Sequence, residues 1–269
     1  MSGAAAAKTV LSLSVGEMIA QHEAVAGADR QSRYHEGAQV PQGLFGDLAD
    51  ISVLANDCIL ATGHLRQDGV VPVHVGQRLV QRAPIPLGTR LTVHGNLASR
   101  RAVRSGTLAT FVMDFITEDE EVPLRAEITS LVSDGEAMRA GPPAGAGKAD
   151  DMPDLEGWQS VGEKILTPDR VAAYSHEFPD YWVHFRPDVA RSIGYPKPVA
   201  QGLMSLTWMM EALAAGGVPE RIDVEVGFRR PIFWDDRVTV LRQDEAFAIA
   251  RQGEDGLEIC SLGRVNPPE

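Results

Sequence analysis

The sequence predicts an α+β fold made twice, each copy a long apolar helix wrapped by an antiparallel sheet. Three observations lead there. The 269 residues carry internal matches in one order, a Gly/Pro/Ala-rich stretch separates the two sets, and each set runs from an apolar helical segment into strands.

The matches come first. VPQGL (40–44) pairs with VAQGL (199–203), and PIPLGTRLTV (84–93) pairs with PIFWDDRVTV (231–240). Both of the latter follow a Val-Gly pair, Val75-Gly76 and Val226-Gly227. LSVGEMIA (13–20) parallels LTPDRVAA (166–173), each with a hydroxyl residue placed to cap a short helix. Three matches in one order point to duplication. The break, from Ser133 to Gly157, lacks any sustained period and reads as a linker. The expected organisation is therefore an N-terminal repeat at 1–135, a linker at 136–157 and a C-terminal repeat at 158–269. GAGKAD inside the linker is not a phosphate loop, because its glycine spacing is wrong and no Ser or Thr follows Lys148.

The elements follow from periodicity. In the first repeat Leu44, Phe45, Leu48, Ile51 and Leu54 fall near helical spacing. In the second, Leu203, Met204, Leu206, Trp208, Met209, Met210 and Leu213 surround the helix on nearly every side, so it must be enclosed. TLATFVMDFIT (107–117) and RVTVLR (237–242) carry the β-branched and aromatic residues of strands. Ser105-Gly106 and Gly253-Glu254-Asp255-Gly256 mark turns.

Composition narrows the function. A net charge of −12 argues against a nucleic-acid partner, which needs a basic face. No apolar run approaches a membrane span, and the N-terminus lacks the basic leader and apolar core of a signal peptide. Cys58 and Cys260 lie in apolar segments and are expected as buried thiols in the cytoplasm. The scattered His22, His64, His74, His94 and His176 give no metal spacing, and there is no Gly-x-Ser-x-Gly elbow. No metal or cofactor is expected.

The candidate chemistry lies between Asp180 and Leu213. Asp180 and His184 stand a short way upstream of Gln201-Gly202, which opens the apolar helix. A carboxylate and an imidazole beside a helix N-terminus suit proton transfer next to a polarised carbonyl. The plainer readings are a turn role for Asp180, a structural role for His184, and a helix-start bond for Gln201, which Gln42 would mirror in the first repeat. The first repeat offers no equivalent pair; Asp29 and His35 match no template and read as surface or loop residues.

This segment resembles the MaoC-like dehydratases, or hydratase 2 enzymes. The residues that carry the resemblance are Tyr174, Asp180, His184, Ala190, Gly194, Pro198, Val199 and Gly202, and it covers about 100 residues of the second repeat. Three features depart from the family pattern. Only Tyr181, Trp182 and Val183 separate Asp180 from His184, where the family has four residues; the Asn-Pro between them is absent; and the His before the helix glycine is Gln201. The resemblance implies a double hotdog fold, in which one repeat has lost its catalytic residues and shapes the acyl pocket. It also implies reversible hydration of a trans-2-enoyl thioester to an (R)-3-hydroxyacyl thioester. Asp180 and His184 would move the protons, and the backbone N–H of Gly202 would polarise the carbonyl. Tyr181, Trp182 and Gln201 are candidate substrate contacts. Arg229 and Arg230, with Lys197 and Arg186, are candidates for the phosphates of an acyl-CoA or acyl-ACP arm. Two rivals stand beside this: an acyl thioesterase on the same fold, and a non-catalytic acyl-binding subunit. A monomeric pseudo-dimer and a homodimer both fit.

Overall fold

The computed structural model describes residues 9–65, 70–134, 152–253 and 256–267. Residues 135–151, which hold most of the expected linker and the GAGKAD run, lie outside the described residues. So do 1–8 and positions 254 and 255 of the expected turn.

Alternating burial drives ten strands into one antiparallel sheet. The first repeat supplies β1 (His22–Val25), β2 (Val70–Gln81), β3 (Arg90–Val103), β4 (Gly106–Ile116) and β5 (Leu124–Asp134). The second supplies β6 (Gln159–Ile165), β7 (Ile222–Phe228), β8 (Arg237–Gln243), β9 (Ala246–Gln252) and β10 (Leu257–Asn266). Their order is β1-β3-β4-β5-β2-β7-β10-β9-β8-β6, so the second half mirrors the first about the β2–β7 junction. There Gly76 pairs with Gly227, which sets the two matched Val-Gly dipeptides against each other across the pseudo-twofold. Arg90 and Arg237 begin equivalent strands, as the PIPLGTRLTV match requires.

Each half wraps a helix. The central helices are α2 (Ile51–Thr62) and α5 (Leu203–Ala214); the flanking ones are α1 (Ala28–Ala38), α3 (Pro168–Tyr174) and the short α4 (Pro187–Ser192). Residues Leu203 to Met210 of α5 are all buried, and Trp208 donates its indole N–H to the Ala38 carbonyl at 2.8 Å. Both cysteines are buried free thiols, and burial pushes the Cys260 thiol up to about 12. No helix among the described residues is long and apolar enough to cross a membrane.

Two sequence matches dissolve in the structure. Gln201-Gly202 does open a helix, but Gln42-Gly43 enters an exposed turn, and α2 starts only at Ile51, capped by Asp50. The Ala49 N–H bonds the Ile85 carbonyl and the Ala200 N–H bonds the Ile232 carbonyl, each at 2.8 Å. Asp50, not Gln42, is therefore the counterpart of Gln201. Likewise 13–20 forms no helix. Ala26 and Leu166 bond equivalent strand ends (Gly88 and Thr89, Asp235 and Asp236), so α1 is the counterpart of α3. That alignment sets Asp29-Arg30 and Tyr34 on Asp169-Arg170 and Tyr174, with the same spacing. The end of the expected linker also does more than connect: Met152 and Leu155 pack, with Trp158, on an outer-face cluster of Leu241, Ala248, Ala250 and Ile259.

Candidate active site

The 3₁₀ turn Trp182–His184 brings the second repeat's polar residues to the mouth of α5. His184 is buried, at 8% exposure, and its Nδ1 lies 2.7 Å from the Val199 carbonyl. A carbonyl only accepts, so Nδ1 carries the proton and donates, and in the neutral ring the lone pair sits on Nε2. The Val199 N–H returns a bond to the Val183 carbonyl at 3.2 Å, which pins this turn to the segment leading into α5. The Tyr181 ring lies parallel to the imidazole, 6.2 Å between centroids and 11° between planes.

These groups face a cavity of about 860 Å³ lined by Asp180, Tyr181, Trp182, His184, Gln201, Gly202, Arg229 and Arg230. Eight of the ten candidate residues singled out from the sequence thus line one cavity. Asp180 is exposed there. Trp182 is half exposed, with the Arg186 guanidinium 5.4 Å over its ring. Arg230 donates to the Ile259 carbonyl at 3.0 Å. The other two cations point to acids instead of the cavity: Arg186 forks onto Asp188 at 2.6 and 3.2 Å, and Lys197 lies 3.8 Å from Asp235.

Gly202 caps α5, and a Cβ there would sit 3.0–3.1 Å from three carbons of the Phe228 ring. The glycine therefore serves close ring packing as well as an open helix end. Gln201 is buried, and its Oε1 finds no partner, so it does not bond the backbone at the helix start. An orphan amide oxygen at a cavity wall is a group poised for a ligand or a water.

The first repeat also contributes to the wall, through Ile59 and Thr62 of α2 and Phe111, Ile128, Ser130 and His74 of the sheet. Sequence reasoning missed His74. Burial pushes its imidazole down to about 4, so it stays neutral; its Nε2 donates to the Gly76 carbonyl at 3.0 Å and its ring meets Phe228 edge-on. It also missed the cavity-lining hydroxyls Ser205 and Ser261, 3.0 Å apart, with Ser205 one turn beyond Gln201 on α5. Neither is signalled by spacing in sequence, because the two meet only where α5 packs on strand β10.

His35 is not a surface residue. It is 2% exposed on α1, and its Nε2 lies 3.0 Å from Oδ2 of the buried Asp50. The first repeat thus does hold a His–Asp pair at its helix start, but Asp50 is spent capping Ser52 and neither residue lines the cavity. Asp29 is exposed, as expected. Among the described residues no cluster of three His, Cys, Asp or Glu side chains offers a metal set.

No protein-family model and no curated protein sequence matches the chain. Solved structures do. A MaoC-like dehydratase from Phytophthora capsici is similar at TM-score 0.67 and 17% identity, over 95% of this chain and 98% of that one. The HtdX protein of Mycobacterium tuberculosis is similar at TM-score 0.67 and 15% identity, over 91% and 99%. A second M. tuberculosis protein, described as a double hotdog fold, is similar at TM-score 0.62 and 12% identity, over 96% and 97%. What this chain shares with them is architecture: it is an α+β double hotdog, the fold on which MaoC-like dehydratases are built.

Proposed function

We propose that the chain adds water reversibly across C2–C3 of a trans-2-enoyl thioester, carried on coenzyme A or an acyl carrier protein. The observation that carries this is His184, buried at a cavity wall beside the start of α5 with its Nδ1 proton committed to Val199. In this reading the Gly202 N–H takes the thioester oxygen, where negative charge grows as water attacks C3. Nε2 of His184 receives the water proton, and Asp180 orients the water from the same wall. Hydroxide bonds to C3, and the abstracted proton reaches C2 through the Asp180–His184 pair, so every atom of the water is placed. The acyl chain occupies the cavity between the repeats, and Arg229 meets the phosphates of the carrier.

The test is spectrophotometric. Purified protein should bleach the enoyl-thioester band of crotonyl-CoA or of longer enoyl-CoAs, without releasing thiol. A second reading has one observation in its favour: an exposed carboxylate such as Asp180 also suits aiming water at the carbonyl itself, as in a thioesterase. A thiol reagent decides between them, because hydrolysis releases free coenzyme A and hydration does not. Binding without either product would make the chain an acyl-binding subunit.

A further inference from the structure

The Asp180 side chain makes no hydrogen bond among the described residues, so its aim is set by the backbone on either side. Downstream, His184 and Val183 are tied to Val199. Upstream the tie comes from the other repeat. Glu177, three residues before Asp180, receives Arg30 Nε at 2.8 Å and Nη2 at 2.9 Å, one bond on each oxygen. The Tyr34 hydroxyl donates to the same carboxylate at 2.8 Å. Arg30 and Tyr34 are one helical turn apart on α1, so they present to one face. The remaining Arg30 nitrogen, Nη1, holds Asp57 of the central helix α2 at 2.7 Å, and His22 lies 3.0 Å from the second oxygen of Asp57.

We propose that Arg30 and Tyr34 of the catalytically silent repeat are positioning residues for the Asp180–His184 segment, acting through Glu177. A planar guanidinium that forks onto one carboxylate fixes distance and plane together, which a lysine does not. Arg30 is 16% exposed and Glu177 22%, so the pair is only weakly screened. Without Arg30, Glu177 and Asp57 face each other as two carboxylates with no cation between, and the segment is pushed from its seat. The pseudo-equivalent residues do other work: Arg170 bonds the Ile165 carbonyl, and the Tyr174 hydroxyl pairs with Thr207. The duplicated Asp-Arg and Tyr have therefore diverged, and the first-repeat copies have taken on the clamp.

The inference rests on the hydration reading for what the segment does, and its test separates the two. Arg30→Gln, Arg30→Lys, Tyr34→Phe and Glu177→Gln are compared with the control Arg170→Gln, all checked for folding by circular dichroism. With enoyl-CoA, kcat should fall by up to about 10²-fold in Arg30→Gln, as expected for an error of about 1 Å in placement. Arg30→Lys and Tyr34→Phe should fall less, KM should stay near wild type, and Arg170→Gln should match wild type in both. Amide exchange over 178–186 should speed up in Arg30→Gln and Glu177→Gln alone. Unchanged kcat and unchanged exchange in folded Arg30→Gln or Glu177→Gln overturn the clamp. If Arg30→Gln does not fold, Glu177→Gln, which keeps the shape of the site, carries the comparison. A wild type inert toward every enoyl-CoA overturns the hydration reading alone, and exchange over 178–186 then decides the clamp.

Discussion

At the scale of single residues, the site is built from groups whose partners are few and specific. Asp180→Asn and His184→Gln each remove one titrating group, and each should lower kcat for enoyl-CoA by about 10²–10⁴-fold, measured at saturating substrate. The melting temperature should stay close to wild type in Asp180→Asn, where the residue is exposed, and fall somewhat in His184→Gln, which loses the ring's bond to Val199. Gly202→Ala acts through packing: the added carbon meets the Phe228 ring at 3.0–3.1 Å, and His74 backs that ring edge-on. The expected cost is about 1–3 kcal/mol by thermal melt. Pairing the change with Phe228→Leu should recover much of that loss. Gln201 holds a buried oxygen with no partner, so Gln201→Met should be neutral or stabilising by about 1 kcal/mol while raising KM. An unchanged KM would return Gln201 to a structural role.

At the scale of elements, the flanking helices α1 and α3 make a second joint between the repeats, beside the sheet. They meet with Tyr34 edge-on to Tyr174 at 4.9 Å, and Gly37 allows the approach. A Cβ on Gly37 would lie 2.6 Å from the Tyr174 backbone nitrogen and 2.8 Å from the Arg170 carbonyl oxygen. Backbone atoms have no rotamer to escape into, so the helices must part. Gly37→Ala should destabilise by at least about 2 kcal/mol and loosen the Arg30–Glu177 contact with it. Chemical denaturation, with amide exchange over 178–186, reads both effects. The central helices divide their roles differently: α5 opens at a bare glycine toward the cavity, whereas α2 opens at Asp50, whose carboxylate caps Ser52. One helix start has no side-chain cap and the other is capped from within.

At the scale of the molecule, the two repeats are one sheet, stitched at β2–β7. Across that junction Arg78 forks onto Asp223 at 2.9 and 2.6 Å, and also reaches Glu127 at 3.2 Å. The hydrogen bonds from Arg78 hold the Asp223 carboxyl below its usual value against the opposing effect of burial. Because the folded value lies below the unfolded one, this contribution is complete above about pH 4 and disappears as the pH falls through the depressed value. Asp223→Asn should therefore flatten the acid limb of a stability–pH curve while lowering the plateau at neutral pH. A variant that keeps the wild-type slope on the acid side would show that the junction is held by its backbone pairing alone.

The sequence by itself determined the duplication, the enclosed α5 helix, the strands and the position of the candidate residues on one short segment. Periodicity and composition are local, and each of these features is written in a local run. It misaligned the repeats where short matches misled, pairing Gln42-Gly43 with Gln201-Gly202, because only strand-end hydrogen bonds reveal that Asp50 holds that place. It read His35 as surface and overlooked His74, Ser205, Ser261 and the Arg30–Glu177 fork. Those rest on contacts within a repeat, such as His35 with Asp50 and Ser205 with Ser261, and between repeats, such as His74 with Phe228 and Arg30 with Glu177, all formed when the chain closes on itself. Burial and partner are properties of that closure, so only the tertiary structure decided them.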